Sequence, residues 1–133
     1  MERWLPYLLV GLGSFVGGNA RYVVGRWVGS AVGGRFPLAT LLINVAGSFV
    51  LGMIGGVLAQ RTAAHADAIR LALGVGFCGG FTTFSTFEYE THALLEDGAW
   101  VPAFAYVAVS VVVALLAVRF GILAGRAVVP RTS

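Results

Sequence analysis

Charged residues are scarce in this chain of 133 residues: Asp, Glu, Lys and Arg together make up 11% of it, whereas a typical soluble domain has about 25%. Lysine is absent, so every basic residue is an arginine. The single cysteine excludes a disulfide framework. No run of basic residues occurs, so nucleic acid is not an expected partner despite the formal net charge of +3.

Apolar residues are abundant instead. Hydrophobic residues account for 58% of the chain, and it contains 19 glycines besides. A chain of this size has too small an interior to hide so much apolar surface from water. Intrinsic disorder is excluded as well, because it requires low hydrophobicity. The composition therefore predicts an integral membrane protein whose outer surface contacts the lipid bilayer.

Four stretches are long and apolar enough to cross a bilayer, which takes about 20 residues. They cover about residues 4–28, 37–59, 69–95 and 99–124. Pro6, Pro37 and Pro102 each lie where one of these spans begins, a position at which proline costs a helix little. The expected fold is thus an all-α integral membrane domain over 1–133 with four transmembrane helices.

The arginines are unevenly divided between the two ends of this arrangement. Three lie at the end that holds the first and third connections: Arg21, Arg26 and Arg35. Six lie at the end that holds both termini and the middle connection: Arg3, Arg61, Arg70, Arg119, Arg126 and Arg131. This bias favours cytoplasmic termini, but it is small, and both orientations stay open.

Polar residues inside a span are costly and mark either helix packing or a pathway. In the second span, a face with four-residue spacing begins at Thr40 and Asn44 and continues in Ser48, Gly52 and Gly56; for the last three we expect helix packing. Asn44 either faces an aqueous pathway or clamps a neighbouring helix. In the first span, Gly11, Gly17 and Gly18 are expected to pack, and Arg21 either reaches the interface or attracts anions to an entrance.

The third span is a poor continuous helix, because it is rich in glycine and threonine. We expect a break at Gly79-Gly80, where exposed backbone groups can bind ions. Phe84 and Phe87 share a face if the segment after the break is helical, and the positive edges of their rings can contact a small anion. In the fourth span, Ser110 either completes a polar track with Tyr106 or bonds to its own helix.

An enzymatic role is not expected, because the sequence contains no nucleophile, acid–base or metal-ligand constellation. Two other classes remain as alternatives: a small multidrug-type four-helix exporter and a non-conducting subunit of a membrane complex. The exporter requires a carboxylate deep in a span, and we place none there. The cluster of Phe, Ser and Thr residues in the third span argues against the non-conducting subunit.

Three motifs together resemble the Fluc/CrcB family of fluoride channels: GGNARY at 17–22, NVAGSF at 44–49 and GFCGGFTTFSTF at 76–87. The resemblance covers nearly the whole chain. It implies an antiparallel, dual-topology homodimer in the cell inner (plasma) membrane, which contains two fluoride pores and exports cytoplasmic fluoride passively. A partner paralogue of opposite, fixed orientation is the alternative to the homodimer.

The resemblance also implies roles for particular residues. By motif position, the ion pathway would contain Asn44, Phe84 and Phe87, with Thr40, Ser110 and Tyr106 as its polar track. Arg21 would supply an electropositive approach, and Glu88 would lie in a vestibule with Tyr106. A structural Na⁺ at the dimer centre would be held by the backbone carbonyls of Gly79 and Thr82 from both subunits.

Overall fold

The computed structural model describes residues 3–59 and 63–129, without the side chains of 63–65. Two of the arginines counted above, Arg61 and Arg131, lie outside these residues. Over the described ranges the secondary structure is helical, and no strand occurs. The helices are α1 (Leu5–Val32), α2 (Leu38–Leu58), α3 (Ala63–Ile69), a π-helical segment (Arg70–Cys78), α4 (Gly79–Phe81), α5 (Phe84–Glu96) and α6 (Trp100–Val128). The expected all-α class is confirmed.

Proline and glycine mark the helix boundaries. A proline lies in the first turn of α1, and Gly33, with φ of 37°, directly follows its last residue. Pro37 directly precedes α2. Gly98 has φ of 71° in the turn before α6, a backbone conformation that costs glycine little. These short connections bring each helix back along its predecessor.

Three helical stretches are long and apolar enough to cross a membrane: Leu38–Leu58, Ala66–Glu96 and Trp100–Val128. They correspond to the second, third and fourth predicted spans. Helix α1 is long enough at 28 residues, but polar residues such as Asn19 and Arg21 interrupt its apolar sequence. The crossing of the bilayer by α1, and with it the count of four spans, stays a prediction.

The break in the third span lies later than Gly79-Gly80, and that part of the prediction is wrong. Gly79 is helical, with φ of −64° and ψ of −36°, and α4 includes Gly80. The chain becomes extended at Thr82 (φ −81°, ψ 161°) and Thr83 (φ −151°, ψ 117°). Thr83 then caps α5, because its Oγ1 accepts a hydrogen bond from the N–H of Thr86 at 3.2 Å.

The glycines of α1 and of the third span serve close packing. A Cβ at Gly80 would lie 2.6 Å from the carbonyl oxygen of Ser14, and one at Gly17 would collide with the carbonyl oxygen of Phe77. A Cβ at Gly13 would likewise meet the backbone of Ala72, whereas one at Gly11 or Gly18 would meet nothing. The packing role expected of Gly17 is thus confirmed, whereas that expected of Gly11 and Gly18 is wrong; Gly13 packs in their place.

Helices α2 and α6 pack closely along a second glycine interface. A Cβ at Gly52 would meet the carbonyl oxygen of Val118, and one at Gly56 would meet the backbone around Gly125. Gly121 lies equally close to the backbone of Phe49. Small residues let helix backbones approach in this way, so the packing role expected of Gly52 and Gly56 is confirmed.

Candidate functional site

A cavity of about 400 Å³ lies between α2, the broken third span and α6. The side chains and backbone that line it include Leu51, Val111 and Ala114, and no lining residue is charged. Six of the predicted site residues line this one cavity: Asn44, Gly79, Thr82, Phe84, Phe87 and Ser110. Ser48 lines it too, so its role is not helix packing alone.

Asn44 binds the extended segment of the third span. Its Oδ1 accepts a hydrogen bond from the N–H of Thr83 at 2.8 Å, and its Nδ2 donates to the carbonyl oxygen of Thr83 at 3.0 Å. Backbone groups within a membrane need internal partners, and the amide supplies both. Of the two roles left open by the sequence, Asn44 binds a neighbouring helical segment, and it also lines the cavity.

The break frees a backbone carbonyl at the cavity. In a continuous helix the carbonyl of Gly79 would accept from the N–H of Thr83, four residues on. That N–H instead donates to Asn44. Gly79 is also exposed at the subunit surface, so its carbonyl oxygen is available to a ligand from outside the subunit.

Arg21 reaches the end of α4. Its guanidinium Nη1 donates to the carbonyl oxygen of Thr82 at 3.4 Å. Because Gly17 packs against Phe77, one turn earlier on α1, the two backbones lie close enough for this contact. Arginine at a helix C-terminus interacts favourably with the last carbonyls. Arg21 therefore contacts the broken span directly, although it does not line the cavity.

Three aromatic rings continue from the cavity into the subunit. The ring centroids of Phe84 and Phe87 are 5.6 Å apart, as expected for two residues on one face of a helix. Phe87 in turn lies 5.1 Å from the ring of Tyr106. Phe87 and Tyr106 are buried, whereas Phe84 is 72% exposed. The exposed ring is positioned to meet a molecule outside this subunit.

The predicted residues Thr40 and Tyr106 meet at Glu90, which the sequence analysis missed. The hydroxyl of Thr40 donates to Oε1 of Glu90 at 2.9 Å, and the hydroxyl of Tyr106 donates to Oε2 at 2.8 Å. Glu88, which was expected in a vestibule, is exposed, and its vestibule role stays a prediction. The spacing of Phe87, Glu90 and Leu94 on one helix face could have indicated Glu90.

Ser110 has a buried hydroxyl that lines the cavity and has no hydrogen-bond partner among the described residues. The side chain is 8% exposed. Ser110 therefore does not bond to its own helix, and the polar-track role stays a prediction. Buried hydroxyls are ordinarily satisfied, so this one is available to a ligand in the cavity.

The site favours a small anion over other chemistry. Its lining includes residues with hydroxyl and amide groups and two phenylalanines, and it carries no negative charge that would repel an anion. Among the residues that the structure describes, no three His, Cys, Asp or Glu side chains come together as a metal site.

A family model described as CrcB-like protein, Camphor Resistance (CrcB), matches residues 8–122 of the chain. The chain belongs to the CrcB family. The matched region of this CrcB protein runs from α1 into α6 and contains the residues of the cavity, the cap at Arg21 and the cluster at Glu90. The family resemblance expected from the three motifs is therefore confirmed.

Relatives of this CrcB protein bear the name fluoride-specific ion channel FluC. The one from Solibacter usitatus is 44% identical over 92% of this chain and 99% of its own length. Those from Sorangium cellulosum and Trichlorobacter lovleyi are 42% and 46% identical, over 95% and 83% of this chain and 96% and 87% of their own lengths. These relatives are channels by name, which agrees with the expectation that the chain is not an enzyme. With its apolar helices, the kinship indicates a multi-pass protein of the bacterial plasma membrane.

Proposed function

We propose that this CrcB protein is a fluoride-selective passive channel that exports cytoplasmic fluoride. The observation that carries the proposal is the uncharged cavity in which the unpartnered hydroxyl of Ser110 faces the same space as the ring of Phe87. The names of the relatives add fluoride as the ion that those proteins conduct.

The chemistry of the lining suits fluoride in particular. Fluoride is small and strongly hydrated, so its transfer out of water is costly unless donors replace the water. The hydroxyl of Ser110 and the ring edges of Phe84 and Phe87 are such groups. They are also individually weak, so an ion can leave as well as enter. A membrane potential that is negative inside drives the anion outward, by about 2.3 kcal/mol per 100 mV.

The working unit that we propose is an antiparallel homodimer with two pores. In support, the ring of Phe84 is 72% exposed and the carbonyl-bearing Gly79 lies at the subunit surface. An antiparallel copy would bring these groups of one subunit to the cavity of the other. The small arginine bias, six against three, is compatible with insertion in both orientations. A paralogue of opposite, fixed orientation is the other arrangement to test.

A structural Na⁺ at the dimer centre is part of the same proposal. The freed carbonyl of Gly79 fits such an ion, because backbone oxygen is a ligand that hard cations prefer. The carbonyl of Thr82 fits it less well, since the guanidinium of Arg21 donates to the same oxygen. A bound cation would supply positive charge beside the cavity, which favours an anion there.

The test is anion efflux from liposomes that contain only the purified protein, read with fluoride and chloride electrodes side by side. We expect fast fluoride efflux and no chloride efflux. Absence of fluoride efflux from a folded, dimeric preparation would contradict the proposal. If no efflux occurs and the preparation is monomeric, adding an oppositely oriented paralogue distinguishes a missing partner from a wrong function.

Replacement of Na⁺ by a large organic cation on both sides of the membrane tests the metal. We expect weaker dimerisation and slower fluoride efflux, both restored when Na⁺ is returned. Equal dimer content and equal efflux in the two media would contradict the cation site while leaving the channel proposal intact.

A further inference from the structure

A second cavity lies beside the candidate pore, between the end of α2 and the start of the third span. Its volume is about 460 Å³, within the range of about 300–1,000 Å³ that is usual for ligand sites. Leu51, Ile54 and Leu58 of α2 form an apolar wall along it. Gly55 lies in the same wall, and a Cβ there would meet no other atom within 4 Å. We call this feature the α2 groove.

One end of the α2 groove carries two opposite charges. Asp67 and Arg70 both line it, both are exposed, and they are three residues apart, about one helical turn. Neither forms an ion pair with another residue in the described part of the chain. The candidate membrane-spanning stretch of the third span begins at Ala66, so these charges lie in its first turns.

We propose that the α2 groove binds a phospholipid whose headgroup carries both a phosphate and a primary ammonium, as phosphatidylethanolamine does. The guanidinium of Arg70 would donate to the phosphate, a pairing whose geometry is favourable. The ammonium would donate to the carboxylate of Asp67. One acyl chain would lie along Leu51, Ile54 and Leu58, where it covers apolar surface.

The pair of charges selects this headgroup over other lipids. A choline headgroup has no N–H to donate to Asp67, because its nitrogen carries only methyl groups. A glycerol headgroup has no positive charge to offer and leaves Asp67 facing an anionic lipid. Arg70 alone would favour any phosphate-bearing lipid. The preference for ethanolamine over choline therefore depends on Asp67.

The α2 groove also adjoins the candidate pore. Leu51 and Gly74 line both cavities, so an acyl chain along Leu51 would also contact the edge of the pore cavity. Loss of the bound lipid would therefore leave the edge of the pore cavity at Leu51 accessible to other acyl chains.

Native mass spectrometry of the delipidated, detergent-solubilised protein tests the proposal. The protein is titrated with dioleoyl phosphatidylethanolamine, and with phosphatidylcholine and phosphatidylglycerol that carry the same acyl chains. We expect the ethanolamine lipid to bind about tenfold more tightly than the choline lipid, the ratio for loss of one charge-assisted hydrogen bond. Equal affinity for the three lipids would overturn the proposal.

Variants assign the binding to the α2 groove. R70Q should weaken the ethanolamine and choline lipids alike, whereas D67N should remove only the preference between them. R3Q, which changes an exposed arginine outside the groove, is the matched charge control. If R70Q and R3Q have the same effect on lipid binding, the proposal is wrong.

Filling the groove is an independent test. G55L should abolish lipid binding while the protein stays folded, because the added side chain enters open space. G11L is its control, since a Cβ at Gly11 also meets nothing but lies on α1. Unchanged lipid binding in G55L would overturn the proposal. So would loss of dimer with lipid binding intact, since a second copy of the chain would then occupy the groove.

Discussion

The side-chain amide of Asn44 completes the backbone hydrogen bonding of Thr83, accepting from its N–H at 2.8 Å and donating to its carbonyl at 3.0 Å. Thr83 is extended in the middle of a span, where a backbone group without a partner costs several kcal/mol. The amide thus holds the break open and lines the cavity with the same atoms.

Replacing this amide by a carboxylate tests both roles. In N44D, the carboxylate can still accept from the N–H of Thr83, but it places a negative oxygen against the carbonyl. We expect a loss of about 1–3 kcal/mol of stability and strongly reduced fluoride efflux. The stability is measured by the thermal midpoint in detergent, and the transport is measured by fluoride efflux from liposomes. S48A, in the same cavity, is the control for stability; an N44D protein with wild-type efflux would place Asn44 off the pathway.

Removal of the Ser110 hydroxyl separates a ligand-binding role from a structural one. Because the buried hydroxyl has no partner among the described residues, S110A should leave the thermal midpoint unchanged or raise it slightly. Fluoride efflux should fall severalfold, since one donor to the ion is gone. A fall in stability without a change in efflux would show that Ser110 has a protein partner instead.

Substitutions of Phe84 and Phe87 are expected to differ in their effect on protein stability but to have the same effect on fluoride transport. Phe87 is buried against Tyr106, so F87I should cost about 1–2 kcal/mol of stability, whereas exposed Phe84 should tolerate the same change in the isolated subunit. Both variants should lose nearly all fluoride efflux while still forming dimers. Size-exclusion chromatography measures dimer formation, and liposomes measure fluoride efflux. Wild-type efflux in both variants would exclude the ring-edge role.

Glu90 accepts from two hydroxyls, so its neutral amide analogue should disturb the cluster. In E90Q, the amide NH₂ replaces one of the two acceptor oxygens and leaves the hydroxyl of Thr40 or Tyr106 without an acceptor. We expect a loss of about 1–3 kcal/mol of stability, measured by thermal unfolding in detergent. E88Q, two residues away and exposed, is the matched control, and equal midpoints for the two variants would contradict the role of Glu90.

Two adjacent glycines of α1 give a matched test of the helix packing. In G17A, the new methyl group collides with the carbonyl of Phe77, so the helices must separate; we expect a loss of more than about 2 kcal/mol. In G18A, the methyl group enters open space, and the better helix propensity of alanine should raise stability by up to about 1 kcal/mol. A thermal midpoint below the wild-type value for G17A and above it for G18A would confirm the packing face. Equal midpoints for the two variants would contradict it.

The sequence predicted most of the cavity because its residues carry unusual chemistry for a membrane span. Asn44, Phe84, Phe87 and Ser110 stand out against an apolar background, and the structure brings all four to one cavity. The position of the break could not be predicted in the same way. Glycine is found both at bends and at close contacts between helices. Only the position of α1 against Gly80 shows that Gly80 makes a close contact rather than a bend.

The contacts of the charged residues were harder to infer. Glu90 was missed, because glutamate is costly within a membrane and is not expected there. That cost is offset here by two hydroxyl donors, one from α2 and one from α6, whose meeting point depends on how the helices pack. Arg21 is similar: its contact with Thr82 requires the close approach of α1 to α4.

The glycine interface between α2 and α6 has a consequence for biosynthesis. Its partners, such as Gly52 and Gly121, are separated in sequence by the whole of the third span. The ribosome must therefore complete α6 before α2 can find its neighbour, and α2 waits in the bilayer with an empty face. The glycine interface between α2 and α6 is therefore formed late in the assembly of the subunit.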